Sequence, residues 1–240
     1  MTPRERVAAA LGFDEAPDRP PAAAWGHTYR EEWSPEELAR VTVDRAKRLH
    51  YDFVKFQPRA TCFAEAFGNA YHPANHRLKG PVLDHRMVAD VADWSGVALT
   101  NPGALDDQVT AIGLAVEGLG EDVPVLQTVF SPITVAGYLA GKDSRAAVRM
   151  LRQHPAVVQP ALERIADAMI DFGRRSVEAG AAGVFYAVSG YASPSLVPRP
   201  VYEELIFPLD QRITAALPEA AWFNVCLLYT SDAADDLTRV

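Results

Sequence analysis

Short apolar runs alternate with longer stretches of helical periodicity along almost the whole chain, and this alternation restricts the fold more than any other feature. The runs are Ala22–Trp25, Phe53–Gln57, Val123–Phe130, Val184–Val188 and Ala221–Val225. Most are rich in β-branched or aromatic residues, and turn residues such as Gly26, Pro58 and Ser131-Pro132 close them, so each reads as a buried strand. Between them lie helices. Ser34-Pro35-Glu36-Glu37 predicts a capping box opening a helix that runs to about His50. Leu105, Val109, Ile112 and Val116 mark one face of a second helix, with Gly118 and Gly120 at its stop. Val158, Leu162, Ile165, Met169 and Phe172 mark one face of a third, opening near Pro155. Residues from Tyr202 to Leu217 are helical in pattern, and Pro208 is expected to kink or divide that helix. Residues 69 to 100, with His72, His76, Gly80, Pro81 and His85, predict a long loop with short helical pieces.

Strands separated by helices run parallel, because a parallel pair needs a crossover of a dozen residues or more. The expected class is therefore α/β. Five strand–helix units in about 225 residues fit most of a (β/α)8 TIM barrel, which needs eight, although an open doubly wound sheet fits the same pattern.

Composition narrows the partners. The formal charge is −8 and is dispersed, so nothing resembles the basic stripe that a nucleic-acid backbone requires. No run approaches the roughly 18 to 20 apolar residues that span a bilayer. The apolar stretch Val7–Leu11 is too short for a signal peptide. Two cysteines, Cys62 and Cys226, make no disulfide framework, and a cytoplasmic setting is expected.

The last residues break the pattern. From Cys226 to Asp236 the chain resembles the in-frame translation of a transposon adapter used in sequencing libraries. The domain is accordingly expected to be 1–225, an incomplete barrel truncated after about the fifth strand, with 226–240 as a non-native tail; the other reading is a genuine short strand with an acidic end. A chain cut there is expected to be inactive and, with unpaired strand edges, prone to aggregate.

Several segments together resemble the uroporphyrinogen decarboxylase family. They are Thr2-Pro3-Arg4-Glu5-Arg6-Val7, Pro17–Pro21, Lys55–Arg59 followed by Ala64–Gly68, Phe130–Leu139 and Ala179–Tyr186. The resemblance implies a barrel with its site at the C-terminal ends of the strands. It also implies one of two activities: cofactor-free carboxy-lyase chemistry on a tetrapyrrole or related polycarboxylate, or, alternatively, zinc-dependent methyl transfer with a methylated corrinoid protein as partner. A homodimer is expected by the same analogy.

Site residues follow from that resemblance, position by position. Tyr138 falls where the family places a catalytic Tyr, and Ser189 is a looser match to its Ser. Arg59, counted back from Gly68, stands where the decarboxylases carry an Asp. The segment Gly26-His27-Thr28-Tyr29-Arg30 lacks their paired arginines. A cation in place of an anion reverses the field offered to pyrrole N–H groups, which argues against strict uroporphyrinogen activity. His27, Arg30 and Arg59 are the expected substrate-binding residues. Each has a structural alternative: a hydrogen-bonded surface His, an ion-paired Arg, a core Tyr for Tyr138, turn chemistry for Ser189. Glu65 either faces the site or merely begins a helix. The zinc ligands of the methyltransferase reading, a His-x-Cys pair and a later Cys, would lie beyond Val225. His72, His76 and His85 lack ligand spacing, and Cys62 reads as a buried small hydrophobe.

Overall fold

The computed structural model describes residues 1–12, 16–188, 193–217 and, as backbone, 222–226. Four strands form one parallel sheet: β1 (Val54–Phe56), β4 (Val125–Phe130), β5 (Gly183–Ala187) and β6 (Trp222–Cys226), in the order β1-β4-β5-β6. Two further strands, β2 (Ala70–His72) and β3 (Val82–His85), make a separate antiparallel hairpin. Spatial order in the parallel sheet follows chain order. The four described strands contain no switch point of the kind at which a doubly wound sheet reverses, and their order is the one a barrel has.

The helices are α1 (Pro3–Leu11), α2 (Pro35–Arg48), α3 (Cys62–Glu65), α4 (Gly103–Leu119), α5 (Pro132–Leu139), α6 (Ser144–Gln153), α7 (Pro155–Glu178), α8 (Arg199–Val201) and α9 (Phe207–Ala216). Ser34 caps α2 by accepting from the Glu37 amide, while its hydroxyl donates to Glu36, so the expected box forms only on its Ser side. All five stripe residues of α7 are buried against the sheet. Between α8 and α9 the backbone forms a π-turn over Tyr202–Ile206, and Pro208, which has no N–H, opens the next helix. The helical run is thus distorted by the π-turn just before that proline rather than interrupted there.

Side chains alternate across each strand. In β4, Gln127 reaches Ser176 of α7 at 3.2 Å, which marks the helix-facing side. On β1, Val54 and Phe56 pack with Leu38, Ala111, Ile112 and Ala115 of α2 and α4, so Lys55 points the other way, into the barrel face. There its Nζ lies 5.2 Å from the Trp25 ring and 4.7 Å from the Phe185 ring.

Two sequence expectations are corrected. Ala22–Trp25 is not a sheet strand: Pro20 and Pro21 remove donors just before it, and the segment is held by one backbone bond, Asp52 N–H to Ala22 O, and by the Asp52 carboxylate, which accepts from Ala22 N–H. Trp25 remains 43% exposed. Residues 69–100 carry the β2–β3 hairpin as well as a 3-10 turn over Val91–Gly96. Its strands are three and four residues long and largely exposed, so they show no apolar alternation to read. Among the described residues, no helix is long and apolar enough to cross a membrane. What was expected of residues 226–240 falls outside the description, apart from the Cys226 backbone.

Candidate functional site

The C-terminal end of β1 delivers Gln57, Pro58 and Arg59 to one rim of the sheet. Pro58 ends the ladder, and the short helix α3 turns Thr61 and Glu65 back toward Arg59. The Arg59 guanidinium meets both Glu65 oxygens, Nε to Oε1 at 3.1 Å and NH2 to Oε2 at 2.8 Å. Its NH1 donates to the Glu32 carbonyl at 3.1 Å, and the group lies 4.8 Å from the Trp33 ring centre. Arg59 is 5% exposed. Burial opposes its charge, but the hydrogen bonds and the negative charge of Glu65 outweigh that and hold the guanidinium more firmly protonated. Thr61 donates a 2.5 Å bond to the same carboxylate.

His27 stands beside this pair. Its Nδ1 is 2.7 Å from Oε1 of Glu32, and its Nε2 is 3.1 Å from Nε2 of Gln57. Tyr29 stacks on the ring, centroids 5.0 Å apart and planes 11° off parallel. Glu32 is 1% exposed and also accepts from the Thr28 amide. Its backbone carbonyl and its carboxylate therefore tie Arg59 and His27 into one constellation.

The other expected site residues lie apart. Tyr138, on α5, is half-buried, 5.6 Å from the Phe130 ring and beneath Lys142, whose Nζ is 5.4 Å from its ring. Its carbonyl accepts from Asn69, which ties it to the hairpin side rather than to His27. Arg30 is exposed and precedes the 3-10 turn of Glu31–Trp33. Ser189 lies outside the described residues. Cys62 is wholly buried, and burial pushes its thiol well above the usual range, as a small hydrophobe requires. Glu32, Gln57 and Lys55 were not singled out by the sequence. Glu32 follows Glu31 and reads there as surface charge; only the direct succession of Lys55 and Gln57 on one side of β1 hints at a polar row inside a barrel.

A cleft of about 430 Å³ opens next to His27, between the 27–31 segment, α2 and the hairpin tip. Arg45, Arg48 and Arg77 line it together with Glu31 and Asp44. Among the described residues no group of three or more His, Cys, Asp or Glu could hold a metal, so these residues do not fit a zinc ion.

Parallel strands in chain order, helices on one side and polar groups gathered where the strands end define an α/β scaffold of the barrel-wound kind. The family model for uroporphyrinogen decarboxylase (URO-D) matches residues 3–233, and the chain belongs to that family. A uroporphyrinogen decarboxylase of Synechocystis is 26% identical over 168 residues, covering 68% of this chain and 47% of that protein. A methylated-thiol–coenzyme M methyltransferase of Methanosarcina mazei is 23% identical over 250 residues, 94% of this chain and 64% of that protein. A solved methyltransferase structure from Methanosarcina mazei superposes with a TM-score of 0.72 at 20% identity, covering 94% of this chain and 70% of that one. The chain thus spans between about half and two thirds of the length of these two curated relatives.

Proposed function

We propose that the chain supplies the substrate-holding side of a URO-D-family enzyme that transfers a methyl group to a small thiol, with a methylated corrinoid protein as donor. The observation that carries this reading is the Arg59–Glu65 pair. At the position matched to the decarboxylases' Asp, a buried cation is engaged on both carboxylate oxygens of Glu65. A carboxylate free to accept from pyrrole N–H groups is a different arrangement; here the Glu65 carboxylate is already taken up by Arg59. The likeness to methyltransferases, which extends over 94% of the chain, supports the same choice. In this reading a zinc ion, if bound, would supply thiol activation, and its ligands would have to come from outside the described residues. Arg45, Arg48 and Arg77 hold the anionic end of the substrate in the cleft, and His27 faces it.

The test is a methyl-transfer assay with methylcobalamin as donor and coenzyme M as acceptor, in zinc-supplemented buffer, followed by loss of the methylcobalamin absorbance. Turnover supports the proposal; binding and consumption of uroporphyrinogen with no methyl transfer would replace it with the carboxy-lyase reading. That second reading, cofactor-free decarboxylation of a tetrapyrrole or related polycarboxylate, draws on the match to the Synechocystis decarboxylase and on Tyr138, half-buried beside Phe130.

A further inference from the structure

Lys55, Gln57, His27 and Glu32 form one polar chain whose hydrogen-bond direction is fixed at its first member. An ammonium can only donate. Lys55 Nζ lies 2.7 Å from Oε1 of Gln57, so that end of the amide is the acceptor. The other end, Nε2, is then a donor, and it points at Nε2 of His27 from 3.1 Å. That ring nitrogen must carry the lone pair. The imidazole proton therefore sits on Nδ1 and is donated to Glu32 Oε1 at 2.7 Å. The order of donors leaves no second neutral arrangement.

Two further observations say what this arrangement serves. The second oxygen of Glu32, Oε2, is buried and has no hydrogen-bond partner among the described residues, so the carboxylate uses its one engaged oxygen, Oε1, on His27 and the Thr28 amide. The imidazole itself is not sealed: its side chain is 22% exposed and lines the 430 Å³ cleft with Arg45, Arg48 and Arg77. A His beside a cation-lined cleft, its Nδ1–H held by a buried carboxylate and its Nε2 lone pair covered by a single amide, is arranged to take a proton once that amide is displaced.

We propose that His27 is the proton acceptor of this site, and that Glu32 and Gln57 are positioning residues that fix its tautomer. The inference rests on the methyl-transfer reading above. The anionic end of a small thiol lies against the arginines and its sulfur displaces the Gln57 amide from Nε2. The S–H bond then breaks, the proton passes to Nε2, and the electron pair stays on sulfur. The imidazolium so formed is held between Glu32 and the new thiolate.

Nitrogen-15 spectra of the histidine rings, with His27 identified by its loss in His27→Gln, test this on the native chain. Without ligand, His27 is expected as the Nδ1–H tautomer; coenzyme M, bound by calorimetry, is expected to protonate Nε2. In the methyl-transfer assay His27→Gln loses about 100-fold or more of the rate. Glu32→Gln keeps part of it, and its nitrogen-15 spectrum is expected to show a mixture of the two tautomers where the native ring shows one. An Nε2–H tautomer in the free chain, or coenzyme M bound with the His27 nitrogens unmoved, overturns the inference and leaves the methyl-transfer reading standing. If coenzyme M does not bind while the Nδ1–H tautomer is present, the methyl-transfer reading fails and the role assigned to His27 falls with it.

Discussion

The guanidinium of Arg59 lies flat against the carboxylate of Glu65, with two bonds of 3.1 and 2.8 Å made out of contact with water. A buried pair of this kind is weak evidence of net stability, since each ion was stripped of solvent to form it, but removing one partner strands the other. Arg59→Met and Glu65→Leu are each expected to lower the unfolding free energy by about 3–5 kcal/mol. The double substitution is expected to recover most of that loss. Urea unfolding of the four chains checks it, and additive losses would mean that the two side chains do not depend on each other.

Asp210 sets a pH dependence. It is 5% exposed and accepts from Tyr186 at 2.6 Å and from Tyr202 at 2.8 Å. Burial raises its carboxyl from the ordinary 3.8 to about 6, against the two hydroxyl bonds, which pull it down. The folded chain therefore holds this proton at pH values where the unfolded chain has released it. Stability from this group falls as pH rises from about 4 to about 6 and stays at the lower level above that, a difference of about 3 kcal/mol at most. Asp210→Asn is expected to flatten that part of the profile. An unchanged slope in thermal unfolding between pH 4 and pH 7 would assign it to other groups.

The four strands of the sheet, the long helix α7 and the distortion before Pro208 were legible because each writes a local signature: an apolar run closed by turn residues, a stripe every third or fourth residue, a missing donor. The hairpin was not. Ala70–His72 and Val82–His85 are short, exposed and held by their pairing rather than by an apolar face. The site was legible only in part for a related reason. His27 and Glu32 lie on one segment, Gln57 and Arg59 on another, and only the fold puts Glu32 between His27 and Arg59. Asp210 illustrates the same limit: an acid in a helix reads as solvated, and nothing near it in sequence announces two tyrosines waiting above it.

Cys62 gives a kinetic probe of opening. Its side chain is wholly buried beside Phe63 and Ala64, and burial pushes its thiol up, so it presents no thiolate to a reagent in the folded state. In a Cys226→Ser chain, reaction of Cys62 with an aromatic disulfide reagent is expected to be limited by unfolding and to speed up in urea in step with it. Fast labelling in the absence of urea would mean that α3 opens on its own.

Gly118 lies where α4 crosses α2, and a Cβ built there would stand 2.9 Å from Cγ2 of Val43. Valine is stiff at χ1, so it cannot swing aside as a longer chain would. Helix propensity favours Ala over Gly by about 1 kcal/mol, while forced overpacking costs about 1–3 kcal/mol. The clash is the larger effect, and Gly118→Ala is expected to destabilise the chain by about 1 kcal/mol. Adding Val43→Ala opens room for the new methyl, and the pair should then unfold at a higher urea concentration than Val43→Ala alone. If Gly118→Ala by itself stabilises the protein, the two helices are free to separate by a few tenths of an ångström, and their close approach is not enforced by the packing around β1.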